Sequence, residues 1–258
     1  MKTSLYSSAL ALLFISACRA APAQQTLNDG SSLKYGTVYG GQLSYDSSGV
    51  IKYPCADPKV AIGTCYSFQL SANPKANLDT NHLDSPRQRN EFRVPWAVAG
   101  EKHTYGWKMY LYGSTGTGST FFHLMQVFDD TTGMPVVTLD ARNGQVGIES
   151  QTLCQSQPSS GGGLLGLGGG GSSGSSCPSI PLSQFVDRTT LHSMSITYGQ
   201  QGSIIYTVTD AATKQTLLTY SAKGALGSSK TAAKFGTYRA TYQGETAVMA
   251  GVGDYTHS

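Results

Sequence analysis

The sequence predicts an all-β chain folded as a two-sheet jelly-roll sandwich. Three observations predict it. β-branched and aromatic residues gather in short runs bounded by glycine and polar turns. No long run keeps a helical period. The runs recur at regular spacing in a chain the size of one large all-β domain, without a fixed-period repeat.

The first residues read as an export signal. Lys2 gives a positive start, "ALALLFISAC" is a short apolar run, and small residues follow in "RAAPAQQ". Cleavage after Ala20 or Ala23 satisfies the small-residue rule, so residues 1–23 are assigned to the signal and 24–258 to a single domain. The apolar run is too short to span a bilayer and has no second copy. A secreted, extracellular protein without a membrane contact is expected, acting as a monomer. Loss of Lys2 and Arg19 takes the formal charge from +3 to +1, which gives no electrostatic case for nucleic acid. A local basic cleft for an acidic polymer remains compatible with that balance.

Five cysteines become four when Cys18 leaves with the signal. Cys55, Cys65, Cys154 and Cys177 allow three pairings. Neighbour pairing, Cys55–Cys65 and Cys154–Cys177, is expected because each pair brackets a loop-like segment. The second pair encloses "QSQPSSGGGLLGLGGGGSSGSS", residues 155–176. Its composition suits a linker between 24–154 and 177–258, but cysteines at its ends favour a flexible loop closed by a disulfide. Neither C-x-x-C nor histidines at ligand spacing support zinc.

The strand segments follow in order: "RQRNEFR" (87–93), "GWKMYLYG" (106–113), "STFFHLMQVFDD" (119–130), "MPVVTLDARNGQVGIES" (134–150), "HSMSITYGQQGSIIYTVTDA" (192–211), "QTLLTYSAKG" (215–224), "KFGTYRATYQG" (234–244) and "AVMAGVGDYTHS" (247–258). Successive strand residues face opposite sides. Arg89, Glu91 and Arg93 therefore share one surface while Phe92 and Val94 enter the core. Lys108 and Tyr110 share a face, as do Lys234, Gly236 and Tyr238. Gln126 lies with Leu124 and Phe128. His123 falls on the other face unless a bulge intervenes. If these strands are neighbours, they form a concave groove rich in Arg, Lys, Tyr and Gln. Such a groove suits an acidic polysaccharide, since guanidinium binds carboxylate in a bidentate fork.

R-x-E-x-R at 89–93, the glutamine strand "HLMQV" and K-x-G-x-Y at 234–238 occur in that order. Together they resemble the jelly-roll polysaccharide lyases, including alginate lyases and fungal glucuronan lyases. One departure is plain: alginate lyases carry Q-x-H, and here Gln126 is followed by Val127 and Phe128. The resemblance implies β-elimination on a uronate polymer. Arg89 and Gln126 would neutralise the uronate carboxylate, stabilising the charge that develops on losing the carbon 5 proton. Tyr238 would be the acid, and the base as well in one version, with Lys234 or an arginine lowering its pKa. His82 is the first candidate for a histidine base and His123 the second. Arg93, Lys108, Tyr110, Lys234 and His123 are expected to bind substrate.

The same residues also fit plainer roles. Arg89, Glu91 and Arg93 could be cross-strand ion pairs, and Glu91 is expected to hold an arginine in place. His192 and His257 carry no signal. No E-x-D-x-x-E pairing supports a sandwich glycosidase. Asp129, Asp130, Asp140 and Asp254 offer oxygen ligands for calcium, although no calcium loop is present; no cofactor is required. The expected function is a secreted uronate-polysaccharide lyase. The alternative is a non-catalytic carbohydrate-binding sandwich.

Overall fold

In the computed structural model, residues 23–154 and 177–258 are described. Residues 1–22 of the expected export signal and the whole 155–176 segment lie outside them.

Short β-rich runs pair into two eight-stranded sheets. The first sheet runs, edge to edge, β1 (Gln25–Asp29), β4 (Val50–Tyr53), β5 (Cys65–Leu70), β16 (Val248–His257), β7 (Lys102–Leu111), β12 (Thr189–Thr197), β13 (Gly199–Asp210) and β14 (Thr216–Leu226). The second runs β11 (Ser179–Pro181), β10 (Gln145–Glu149), β9 (Met134–Arg142), β8 (Phe122–Asp129), β15 (Thr231–Ala240), β6 (Arg87–Arg93), β3 (Leu43–Ser47) and β2 (Lys34–Val38). Neighbouring strands are antiparallel, as in β15 with β6 and β7 with β12. Among the described residues the only helical pieces are three short 3-10 turns. Both sheets interleave strands from before Cys154 and after Cys177. The architecture is the expected jelly-roll sandwich.

Alternation builds the core between the sheets. Trp107, Met109 and Leu111 of β7 face inward, as do Phe92 of β6 and Phe235 of β15. Rings meet across the gap: Trp107 stacks on Phe235 at 4.6 Å, and Phe68 meets Phe92 edge-on at 4.9 Å. Each such side chain contributes about 1.5–3 kcal/mol by leaving water. One histidine is fully enclosed here. His192 stacks on Trp107 at 4.9 Å, and its ring nitrogens meet the Tyr206 hydroxyl at 2.6 Å and Thr190 Oγ1 at 2.9 Å. Burial pushes its pKa down to about 3.

Cysteines pair as neighbours, Cys55–Cys65 and Cys154–Cys177. The first closes a loop whose Val60 and Ile62 pack with Cys65 and Tyr110 on the outer side of the first sheet. That packing corrects one expectation. Trp107, Met109 and Leu111 face the core, so Lys108 and Tyr110 face away from it on the first sheet. Lys108 is occupied there by Asp254 at 2.9 Å. Neither residue belongs to the surface that carries the arginine strand.

Candidate active site

Strands β8, β15 and β6 lie side by side in the second sheet. Their register sets Lys234 between Gln126 and Arg93, and Tyr238 between His123 and Arg89. All six side chains therefore meet on the outer face of this sheet. Five strand-separated segments of the sequence converge there, counting Asp46 on β3 and Asp140 on β9.

His123 reaches this face through broken alternation. The β8–β9 register shifts between His123 and Met125, and the β15–β8 register shifts between Phe235 and Tyr238. Bulges of this kind re-aim a side chain. Met125 and Leu124 are both in the core, while His123 stacks on Phe121 at 4.6 Å and lies 5.7 Å from the Tyr238 ring. Its Nδ1 meets Asp140 Oδ1 at 2.5 Å. Gly236 takes part in the same distortion, with φ of +149°. A Cβ there would strike the Asn90 carbonyl and the Phe68 ring. Gly236 thus permits close strand packing.

Arg89 differs most from its expected role. It is only 8% exposed. Its guanidinium meets Asp79 at 2.8 Å, Asp46 at 3.5 Å and Glu91 at 3.9 Å. The cation lies 4.0 Å from the centre of the Tyr238 ring. Its charge is surrounded by three of the protein's own carboxylates, and its guanidinium packs on the Tyr238 ring. Glu91 stands beside the guanidinium without a hydrogen bond to it. It accepts a hydrogen bond from the Gln126 amide at 2.5 Å.

Two other cations are free of carboxylates. Lys234 is 6% exposed, and among the described residues it has no carboxylate within 4.0 Å and no hydrogen bond. Its amine lies 3.7 Å from the centre of the Phe128 ring. Burial holds its pKa below the usual lysine value, against the pull of Glu91. Arg93 likewise has no carboxylate within 4.0 Å and stacks on Trp96 at 4.4 Å.

Arg87 escaped the sequence reading, although it shares strand parity with Arg89. Its Nη1 donates to the Tyr238 hydroxyl at 3.0 Å, while Ser85 fixes the guanidinium through its carbonyl and hydroxyl, each at 2.9 Å. Tyr238 itself is buried, and burial raises its pKa, with Arg89 and then Arg87 opposing. The arginines lower it as expected, but burial outweighs them, so the net direction is upward. A phenol with this surrounding keeps its proton at neutral pH and suits an acid.

His82 ends the 3-10 turn Thr80–His82, capped by Asp79. It makes no hydrogen bond and no ring contact with Tyr238; of the two histidine candidates, His123 is the one beside it. The calcium candidates are scattered. Asp129 holds Ser228, Asp130 holds Lys230, Asp140 holds His123 and Asp254 holds Lys108. Among the described residues no group of three or more His, Cys, Asp or Glu side chains forms.

No family model matches the chain, and no curated protein matches it. Solved structures do. An endo-β-1,4-glucuronan lyase from the fungus Trichoderma reesei is 12% identical, over 90% of this chain and 92% of that one, with a TM-score of 0.51. The Family 7 alginate lyase A1-II' is 13% identical over 79% and 84%, with a TM-score of 0.48. A GH131 β-glucanase catalytic domain from Podospora anserina is 8% identical over 88% and 84%, with a TM-score of 0.49. The chain has the jelly-roll fold of the glucuronan lyase, the fold that its arginine, glutamine and tyrosine strands resemble.

Proposed function

We propose that this chain cleaves a uronate-containing polysaccharide by β-elimination outside the cell. One observation carries the reading. A single sheet face sets a protonated, arginine-backed tyrosine beside a carboxylate-held histidine, next to a buried lysine that among the described residues has no carboxylate within 4.0 Å. Two disulfides suit an oxidising compartment.

Each group has a task in this chemistry. Lys234, with the Gln126 amide, neutralises the uronate carboxylate, so that negative charge develops on carbon 5 at lower cost. Asp140 holds His123 through Nδ1, leaving Nε2 as the base that takes the carbon 5 proton. The electron pair of that C–H bond becomes the carbon 4–carbon 5 double bond. The carbon 4–oxygen bond breaks, its pair stays on oxygen 4, and Tyr238 protonates that oxygen. Arg87 and Arg89 stabilise the tyrosinate left behind; His123 then releases its extra proton to solvent and Tyr238 takes one back, so both groups return to their starting states.

The test is a screen of glucuronan, alginate, pectate and heparin-like polymers for new ultraviolet absorbance, which reports the conjugated double bond. A rise with one polymer supports the reading. Tight binding of a uronate polymer with no unsaturated ends at any pH replaces the lyase with a carbohydrate-binding sandwich.

A further inference from the structure

The candidate site has two unlike flanks. On one side of Tyr238, β6 and β15 bring Arg87, Arg93 and Lys234, none with a carboxylate within 4.0 Å among the described residues. On the other side, past Phe121 and His123, lies a cavity of about 250 Å³. β9 and β10 supply its far wall. Phe121, Met134, Pro135 and Val136 give it apolar surface, and besides His123 its titratable residues are Asp140 and Glu149. Among the described residues, no lysine or arginine lines it. Arg142, just outside, is held by Glu149 at 3.1 Å.

The β9–β10 register places Glu149 opposite Thr138 and Gly147 opposite Asp140, so the two carboxylates share this face. They also influence one another. Burial, and then Asp140, raises the Glu149 pKa above its usual range. A second uronate seated here would bring its carboxylate toward two like charges, and the nearest cation, Arg142, is already paired with Glu149. An uncharged sugar meets no such repulsion. Its C–H face covers Phe121 and Val136, and its hydroxyls donate to the Glu149 carboxylate.

We propose that the sugar on the β9–β10 side of the cut is uncharged, and hence that the substrate is a heteropolymer joining uronates to neutral sugars. The proposal rests on the lyase reading and narrows its substrate class. Homopolymers of uronate are the weaker ligands, by roughly tenfold for one like-charge contact in a half-wet groove.

The Tyr238→Phe protein, which keeps the ring and cannot donate the proton, serves as a silent binder. Three oligosaccharides are titrated calorimetrically. One is all uronate, and the other two have the sugar on one or the other side of the central uronate reduced to its neutral hexose. The expected result is a preference of roughly tenfold for one of the two reduced isomers over the all-uronate chain. Adding Glu149→Gln should shrink that preference severalfold, chiefly by improving all-uronate binding. Equal or tighter binding of the all-uronate chain overturns the proposal, and so does a preference that survives Glu149→Gln unchanged. If the parent protein makes no unsaturated ends from any of the three while the preference holds, the elimination chemistry fails and the neutral subsite stands.

Discussion

Arg89 lies with its guanidinium 4.0 Å from the centre of the Tyr238 ring, and Asp79, Asp46 and Glu91 hold it there. A cation over an aromatic face is attracted by the ring's negative face. Here it also sits where it can steady a tyrosinate. Removing it strands Asp79 and Glu91, both buried, without their counter-ion. Arg89→Met should therefore cost about 3–5 kcal/mol of stability, read by denaturant unfolding. A fully stable Arg89→Met protein would show that the three carboxylates do not depend on it.

Arg93 should behave differently. It stacks on Trp96 and lacks a carboxylate partner. Arg93→Met should leave unfolding almost unchanged and weaken uronate-polymer binding about tenfold. The salt dependence of binding should flatten in the same variant. Affinity measured at two ionic strengths checks both statements, and unchanged binding at low salt would remove Arg93 from the substrate path.

Tyr238→Phe deletes one hydroxyl and keeps the ring over Arg89. Loss of general acid catalysis costs a factor of about 100 to 10,000. The variant should fold, bind polymer and nearly stop producing unsaturated ends. Near-parental turnover would transfer the acid role to another group.

Asp140→Asn should release His123 from its fixed tautomer, because the carboxylate meets Nδ1 directly. Loss of such an orienting partner lowers activity about 10- to 100-fold. Asp140→Glu should recover part of it. The ring-nitrogen chemical shifts of His123 report the tautomer independently of turnover. If Asp140→Asn leaves those shifts as in the parent, Asp140 does not position the base.

His192 makes acid stability testable. Its pKa is about 3 in the folded chain against 6.5 as the ordinary value. Between those two values the unfolded chain carries a proton that the folded chain refuses. Stability therefore falls as pH drops from 6.5 toward about 3, by about 1.4 kcal/mol per unit from this group. Above 6.5 the group contributes nothing to the pH dependence. Denaturant titrations at pH 7 and pH 5 should show a shallower decline in His192→Gln. Equal slopes in the two proteins would place the acid sensitivity elsewhere.

The sandwich was legible where strands are long and alternate cleanly, as in β7, β12 and β13. The five strands from Gln25 to Leu70 gave no comparable signal, since runs such as "KYGTV" and "LSYDS" are only four to six residues long and depend on neighbours for their pairing. Within the site, parity located Arg89, Gln126, Lys234 and Tyr238 on one surface. It failed for His123, because two register shifts reverse the face within a few residues. It also failed for Lys108 and Tyr110, because alternation says which residues share a side and not which sheet owns it. Arg89 and Arg93 look equivalent in sequence. The difference lies in Asp46 and Asp79, which folding brings from other segments.

The bond between Cys154 and Cys177 joins the chain just after β10 to the chain just before β11, and these two strands are themselves hydrogen-bonded neighbours. A protease that cuts once anywhere between the two cysteines leaves two polypeptides that stay covalently attached. Every strand that contributes to the candidate site remains in the same particle. On a gel, one band without reductant would resolve into two with it. Such nicking leaves the sheet pairing around Tyr238 in place, so the protein can lose backbone continuity at this point while its groove persists.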